Sequence, residues 1–255
     1  MRGERMKIKV RSNVGRKRSS NQDYADYFTN QHQQVLFILC DGVGGHQAGD
    51  VASKQTTQFL GERFVQTEEK FDLTNIQTWL KEQIEAVNLY IYEKSKSESQ
   101  LEGMGTTLVA AIVVEDQLVI VHVGDSRAYV YKEGQLRQVT EDHSLVNVLI
   151  KTGEITKEEG QMHPQRNVVT QSIGGTPDVE AESNLIPLEQ VEMLMLCSDG
   201  LTNMVEDTQL LEMFNQDRFA DDFPEKLIEA ANNAGGTDNI TVILASEFSN
   251  EEVSA

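Results

Sequence analysis

Residues 108–125 read LVAAIVVEDQLVIVHVGD, two apolar runs joined by a two-residue acidic link and closed by Gly124-Asp125. The length and β-branching of the runs read as strands buried on at least one face. A link as short as Glu115-Asp116 pairs them as an antiparallel hairpin. Outward from this hairpin, residues 35–40, 193–197 and 240–245 are runs of the same kind, and alternation at 7–10 and 24–28 and the run 128–131 add more strands. Glu133-Gly134 ahead of Gln135 marks a second hairpin. Helical spacing is clearest at Ile76, Leu80, Ile84, Val87 and Ile91, which fall on one face. A helix over about 49–65 would turn Ala52, Phe59, Leu60 and Phe64 inward. Pro224 and Gly235 bracket a third around Leu227, Ile228 and Ala231, and 208–214 is a short fourth. Many strands with tight turns, and helices early and late, predict an α+β fold of antiparallel sheets with helices packed outside.

The chain has 255 residues, 39% hydrophobic and 25% charged, enough for one large core, although length alone also permits two smaller domains. Neither a Pro/Gly/Ser-rich break nor a repeat interrupts residues 6–247, so a single domain over 1–255 is expected, with a short tail at 248–255. Residues 144–178 are polar and lack a long apolar run, and read as a small helical or irregular excursion. The formal charge is −19, with 41 acidic against 22 basic residues. That balance excludes a nucleic-acid partner and disfavours an anionic membrane. Cys40 and Cys197 sit in apolar runs, which suits reduced, buried thiols, with their proximity left open. Residues 1–11 are basic without an apolar stretch behind them, and the run 108–114 is too short to span a bilayer. A cytoplasmic protein without a membrane anchor is expected.

Three of the strand-like runs end in an aspartate beside a glycine: Asp41-Gly42, Gly124-Asp125 and Ser198-Asp199-Gly200. The run at 240 is instead preceded by Gly236-Thr237-Asp238-Asn239, so an antiparallel neighbour would bring its start to another strand's end. One such Asp-Gly pair alone is a turn. Four carboxylates gathered at one edge repel unless protons or cations lie between them. All-oxygen ligands favour Mg²⁺ or Mn²⁺. The glycine-rich segment after Asp41 is a poor dinucleotide loop, since Gln47 stands where a third glycine is wanted.

In order along the chain stand Arg18-Ser19-Ser20-Asn21-Gln22-Asp23, Asp41-Gly42-Val43-Gly44-Gly45-His46, Gly105-Thr106-Thr107, Gly124-Asp125-Ser126-Arg127, Asp142-His143-Ser144, Ser198-Asp199-Gly200-Leu201 and Gly236-Thr237-Asp238-Asn239. This series resembles the metal-dependent protein phosphatases of the PPM type, also called type 2C, over nearly all of residues 13–244. The resemblance implies an αββα β-sandwich with two or three Mn²⁺ or Mg²⁺ ions at one end, and a flap made by residues 144–178. It implies Asp41 and the Gly42 carbonyl as ligands, Asp199 and Asp238 as ligands of a second ion, and Asp125 with Asp199 at a third. It implies Asp23 as the residue that orients water, with Gln22 and Asn239 close by. Gln22 departs from the glutamate of many relatives, which would weaken metal binding there.

The implied reaction is hydrolysis of phosphoserine and phosphothreonine in proteins by hydroxide generated at the metals. Arg18, otherwise an ordinary solvated arginine, is suited to two phosphate oxygens. His46 would protonate the leaving alkoxide, or else position water or cap the helix behind it. His163, Arg166 and Asn167 in the flap either touch the phosphopeptide or stabilise the fold. Partners would be phosphorylated proteins, substrates of an opposing Ser/Thr kinase, with the phosphatase monomeric. A thiol-phosphatase loop fails because the sixth residue after Cys40 is His46 and after Cys197 is Asn203, and an aspartyl-phosphate mechanism fails on Val43. A phosphoprotein-binding module without catalysis is the remaining alternative, which the presence of all four aspartates disfavours.

Overall fold

The structure is a computed structural model, which describes residues 6–43 and 48–248. Strand β3 (Val35–Val43) shows how its layers arise. Successive side chains of a strand point to opposite faces. Leu36, Ile38 and Cys40 enter one apolar cluster, while Phe37 and Leu39 enter another. A strand covered on both faces must be apolar at every position, which is why this run does not alternate.

All pairings are antiparallel, in two sheets. One has the order β1 (Lys7–Asn13), β11 (Ile240–Ser246), β10 (Met193–Cys197), β7 (Arg127–Lys132), β8 (Gln135–Gln138). The other has the order β2 (Asp23–Thr29), β3, β5 (Leu108–Val114), β6 (Gln117–Val123), β9 (Glu182–Pro187), with the two-residue β4 (Gly105–Thr106) on β3. Between the sheets lie Phe37, Leu39, Val109, Ala111, Leu118 and Ile120 against Ala128, Val130, Leu194, Leu196, Ile243 and Ala245. Helices α1 (Gly49–Gln66) and α2 (Leu73–Ser97) cover the outer face of the second sheet. Helices α5 (Asp199–Thr202), α6 (Asp207–Asp217) and α7 (Phe223–Asn233) cover the outer face of the first. The result is the expected αββα order.

Local signals set the helix ends. The Asp72 side chain accepts from the Thr74 and Asn75 amides, and the Asn75 side chain accepts from the Asp72 amide, closing a capping box on α2. Pro224 sits in the first turn of α7, where its missing N–H costs nothing. Strand β9 and helix α5 are among the elements that the sequence did not disclose. Strand β9 is an edge strand with only Ile186 fully buried, so it lacks an apolar signature. Helix α5 is four residues long and begins at Asp199, immediately after the strand that carries it. Within 144–178, α3 (Leu145–Lys151) and α4 (Lys157–Gln161) are short and the rest is irregular.

The layers also separate the cysteines. Cys40 faces the α1–α2 side and Cys197 the α5–α7 side, with the inter-sheet layer between them. Both are free and buried, and burial pushes each thiol up to about 12. Neither has the exposed, electropositive setting of a reactive cysteine.

Candidate metal centre

The alternation that places Phe37 and Leu39 between the sheets carries Asp41 to the same side at the end of β3. In register with it across the β2–β3 pair is Asp23. From the opposite sheet comes Ser198, just past β10, whose hydroxyl donates to Asp23 Oδ2 at 2.8 Å and accepts from the Thr241 amide at 3.0 Å. The antiparallel β10–β11 pair sets Cys197 against Val242, so the end of one strand and the start of the other bring Asp199 and Asp238 together. Asp125 arrives from the turn after β6. The apolar layer therefore ends in a row of acids at one edge of the sandwich.

Burial is the first cause of what happens to these groups, and mutual repulsion the next. Asp41 is held well above the usual carboxylate range by burial and by the charges of Asp23, Asp199, Asp125 and Asp238. Burial also raises Asp23 to about 7, Asp125 to about 8 and Asp199 to about 6, with Asp199 acting on the first two and Asp238 on the third. Asp23 and Asp125 are only 7% and 8% exposed, so solvent screens little of this. Asp23 Oδ1 and Asp199 Oδ1 are buried with no hydrogen-bond partner. Buried carboxylate oxygens left unpaired among like charges are the donor set that a hard divalent cation satisfies. The residues present fit such an ion.

The peptide groups around the acids are fixed by the motifs that surround them. The Asp41 carbonyl accepts from the Thr107 amide and the Thr106 hydroxyl, both at 2.8 Å, and its amide donates to Thr107 Oγ1 at 3.0 Å. Gly42 is required by close approach: a Cβ there would lie 2.4 Å from the Gly49 carbonyl oxygen and 2.8 Å from that of Gln22. At Gly200 a Cβ would lie 1.9 Å from the Asn239 carbonyl oxygen. The Gln22 carbonyl accepts from the Gly42 amide at 3.1 Å and the Ser53 hydroxyl at 2.6 Å.

Asn239 acts on backbone. Its Nδ2 donates to the Val14 and Ser20 carbonyls, each at 2.9 Å, and its Oδ1 accepts from the Gln22 amide at 2.8 Å. The Arg16 and Lys17 amides donate to the Gly236 carbonyl. Together these bonds lay residues 14–22 across 236–239, which brings Arg18 to the edge of the acids. Arg18 Nη2 donates to Asp238 Oδ2 at 2.7 Å, while Asp238 Oδ1 accepts from the Asn239 amide at 2.8 Å. A cation or a phosphate at this edge therefore competes for an existing ion pair.

Asp23, Asp41, Gly42, Asp125, Asp199, Asp238, Asn239, Gln22 and Arg18 meet at one place, whereas His46 lies outside the described residues. Within residues 144–178, His163 Nδ1 accepts from the Gln165 amide and Arg166 donates to the Gln161 carbonyl, both local contacts, and Asn167 is exposed. Two supports went unassigned in the sequence reading. Asn203 Nδ2 donates to Asp199 Oδ2 at 2.8 Å across one turn of helix. Arg127 makes a forked pair with Asp142, Nη2 to Oδ2 at 2.7 Å and Nε to Oδ1 at 2.9 Å, tying the Gly124–Arg127 turn to the segment that leads into α3. For Arg127 and Asp142 the available signal was their place inside the Gly124–Arg127 and Asp142–Ser144 motifs, whereas Asn203 lies two residues beyond Ser198–Leu201 and carried none.

A four-layer αββα sandwich with buried acids at one end defines a class of phosphatases. Residues 14–245 match the protein phosphatase 2C family. The chain is 44% identical over 239 residues to a serine/threonine phosphatase, stp, of Listeria monocytogenes, covering 94% of this chain and 95% of that one. It is 40% identical to protein phosphatase PhpP of Streptococcus pneumoniae, covering 94% and 97%. The crystal structure of serine/threonine phosphatase Stp1 from Staphylococcus aureus superimposes with a TM-score of 0.91 at 38% identity, covering 96% of each chain. The chain belongs to the protein phosphatase 2C family, whose members are metal-dependent, and is a protein serine/threonine phosphatase.

Proposed function

We propose that the chain hydrolyses phosphoserine and phosphothreonine in proteins at a centre of two or three Mn²⁺ or Mg²⁺ ions. The observation that carries this reading is the convergence of Asp23, Asp41, Asp125 and Asp199, their carboxyl groups raised by burial and by neighbouring charges, with Asp238 among those charges. Asp41 with the Gly42 carbonyl, Asp199 and Asp238 would hold two ions, and Asp125 with Asp199 a third. The ions, when bound, acidify water and offset the charge that develops at phosphorus. Asp23, anchored by Ser198, orients water through its free Oδ1. Arg18 turns from Asp238 to two phosphate oxygens, for which its planar fork is suited. His46 gives the proton to the leaving serine or threonine oxygen. Gln22 and Asn239 support water and backbone around the ions.

Residues 6–247 act as one domain, with 144–178 a flap over the substrate in which His163, Arg166 and Asn167 meet the peptide. Two buried free thiols suit a reducing, cytoplasmic setting. Among the described residues no helix is long and apolar enough to cross a membrane. The phosphatase would act as a monomer against the products of a Ser/Thr kinase. Phosphate release from a phosphothreonine peptide with Mn²⁺, and its abolition by EDTA, tests the reading; activity that survives the chelator contradicts it.

A further inference from the structure

A second group of potential ligands lies apart from the aspartates, where β6 pairs with β9. His122 on β6 is in register with Glu182 on β9, so their side chains share a face. That face is the inter-sheet one, since Leu118 and Ile120 precede His122 on it. His143, from the segment leading into α3, lies against His122 with ring centroids 4.7 Å apart and ring planes tilted by 36°. One ligand atom from each of His122, His143 and Glu182 lies within 4.8 Å of the others.

The hydrogen bonds decide which ring nitrogens are available. His122 Nε2 lies 2.7 Å from the Glu141 carbonyl, so it carries the proton, and Nδ1 keeps its lone pair. That Nδ1 is buried and has no partner, in a residue with no solvent exposure. Burial lowers the pKa of His122, which keeps it neutral, the form in which imidazole binds metals. His143 Nε2 is likewise buried without a hydrogen bond, although it lies 3.3 Å from Glu182 Oε1. Two buried imidazole nitrogens without hydrogen bonds, on residues that cluster with a carboxylate, are unusual, because buried polar groups are nearly always paired.

We propose that His122 Nδ1, His143 Nε2 and Glu182 form a site for a borderline transition ion, Zn²⁺ above all, separate from the all-oxygen centre. Two imidazoles and one carboxylate suit Zn²⁺ rather than Mg²⁺, and half-exposed Glu182 leaves a fourth position open to water. Tetrahedral bonds of about 2.0–2.1 Å set ligand atoms about 3.3–3.4 Å apart. The separation of His143 Nε2 and Glu182 Oε1 already matches. His122 Nε2–H to the Glu141 carbonyl is the outer contact that commonly orients a metal-binding histidine. In the metal-free chain the Gly124 amide points at His143 Nδ1 from 3.3 Å. Binding at Nε2 moves the ring proton to Nδ1 without net release of a proton, and because Nδ1–H then faces the Gly124 N–H, the two donors must move apart.

The test is equilibrium dialysis of the full chain against Zn²⁺ in excess Mg²⁺, with His122→Asn and Glu182→Gln alongside, and NMR of the histidine ring and Gly124 amide resonances. The wild type is expected to bind one more Zn²⁺ per chain than His122→Asn, and Glu182→Gln to bind that ion at least about tenfold more weakly. The His122, His143 and Gly124 resonances should shift together as the ion is added. Glu182 is a surface side chain, so Glu182→Gln decides the matter if His122→Asn does not fold. Equal Zn²⁺ counts and affinities in wild type and Glu182→Gln, or unmoved His122 and His143 resonances, overturn the site.

Discussion

Asp23 sits directly across the β2–β3 pair from Asp41, so two carboxylates occupy one cross-strand position on the face that otherwise packs Phe37 and Leu39 between the sheets. Like charges in such a position destabilise a sheet, and here Asp199, Asp125 and Asp238 add to them. No lysine or arginine among the described residues is bonded to Asp23 or Asp41, and Arg18 is spent on Asp238. The sandwich therefore concentrates an electrostatic cost at the one edge where a cation relieves it.

Replacing Asp41 by Asn should separate function from stability. It removes the most crowded charge while keeping the shape. We expect kcat/KM to fall by at least about 10²-fold, the order found on losing a group that organises transition-state charge. In EDTA near neutral pH the same variant should melt at a higher temperature than the wild type. Parallel losses of activity and metal-free stability would contradict the account of the cluster.

The pH dependence of the metal-free chain follows from the same groups. Unfolded aspartates titrate near about 3.9, whereas Asp199, Asp23 and Asp125 in the fold stand at about 6, 7 and 8. Between those values the folded chain binds more protons than the unfolded one, so its stability falls as pH rises. Their contribution is full below about pH 4 and lost by about pH 8. Thermal melts in EDTA should show this decline, and Mn²⁺ should restore more stability at about pH 8 than at about pH 5. An ion at a hundred times its Kd adds about 2.7 kcal/mol per site. Stability that climbs with pH in EDTA would refute it.

The parts that sequence disclosed are those in which chemistry and periodicity coincide. The runs at 35–40, 108–114 and 118–121 are apolar at successive positions because both faces are covered, and that makes them conspicuous. β9 is equally real, but its outward edge is wet, so its residues resemble a loop. Within the site, Asp41, Asp125 and Asp199 were visible because they stand beside glycines at strand ends, and Asp238 because its glycine-containing turn leads into a strand. Asp142 was not visible as a partner of Arg127, nor Asn203 as a partner of Asp199, because such pairings depend on register and helix phase. Residue type announced that Asn239 is polar, but only the folded path of residues 14–22 discloses that its amide is consumed by three backbone groups.

His46 can be tested by leaving-group chemistry. An alkoxide from serine or threonine needs a proton as it departs, whereas an aryl oxide is stable enough to leave without one. His46→Ala should therefore reduce hydrolysis of a phosphothreonine peptide by about 10²- to 10⁴-fold, with a much smaller loss on p-nitrophenyl phosphate. Equal losses on both substrates would remove His46 from the role of acid.

Asn239 offers a sharper test, because its two candidate roles predict opposite orders of damage. If its side chain held water for the metals, Asn239→Asp would keep an oxygen and add a charge favourable to cations, and would be milder than Asn239→Ala. Its bonds in the fold argue the reverse. Nδ2 is the donor to the Val14 and Ser20 carbonyls at 2.9 Å, and an aspartate would put an acceptor oxygen against both. Alanine leaves two carbonyls and the Gln22 amide unpaired, at about 1–3 kcal/mol for each group that stays buried. Aspartate adds repulsion to that loss, and frees the loop that carries Arg18. We expect both variants to raise KM for a phosphopeptide, with Asn239→Asp the less stable and the less active at saturating Mn²⁺. An Asn239→Asp enzyme that binds Mn²⁺ more tightly and melts no lower than Asn239→Ala would show that the amide serves the metals rather than the loop.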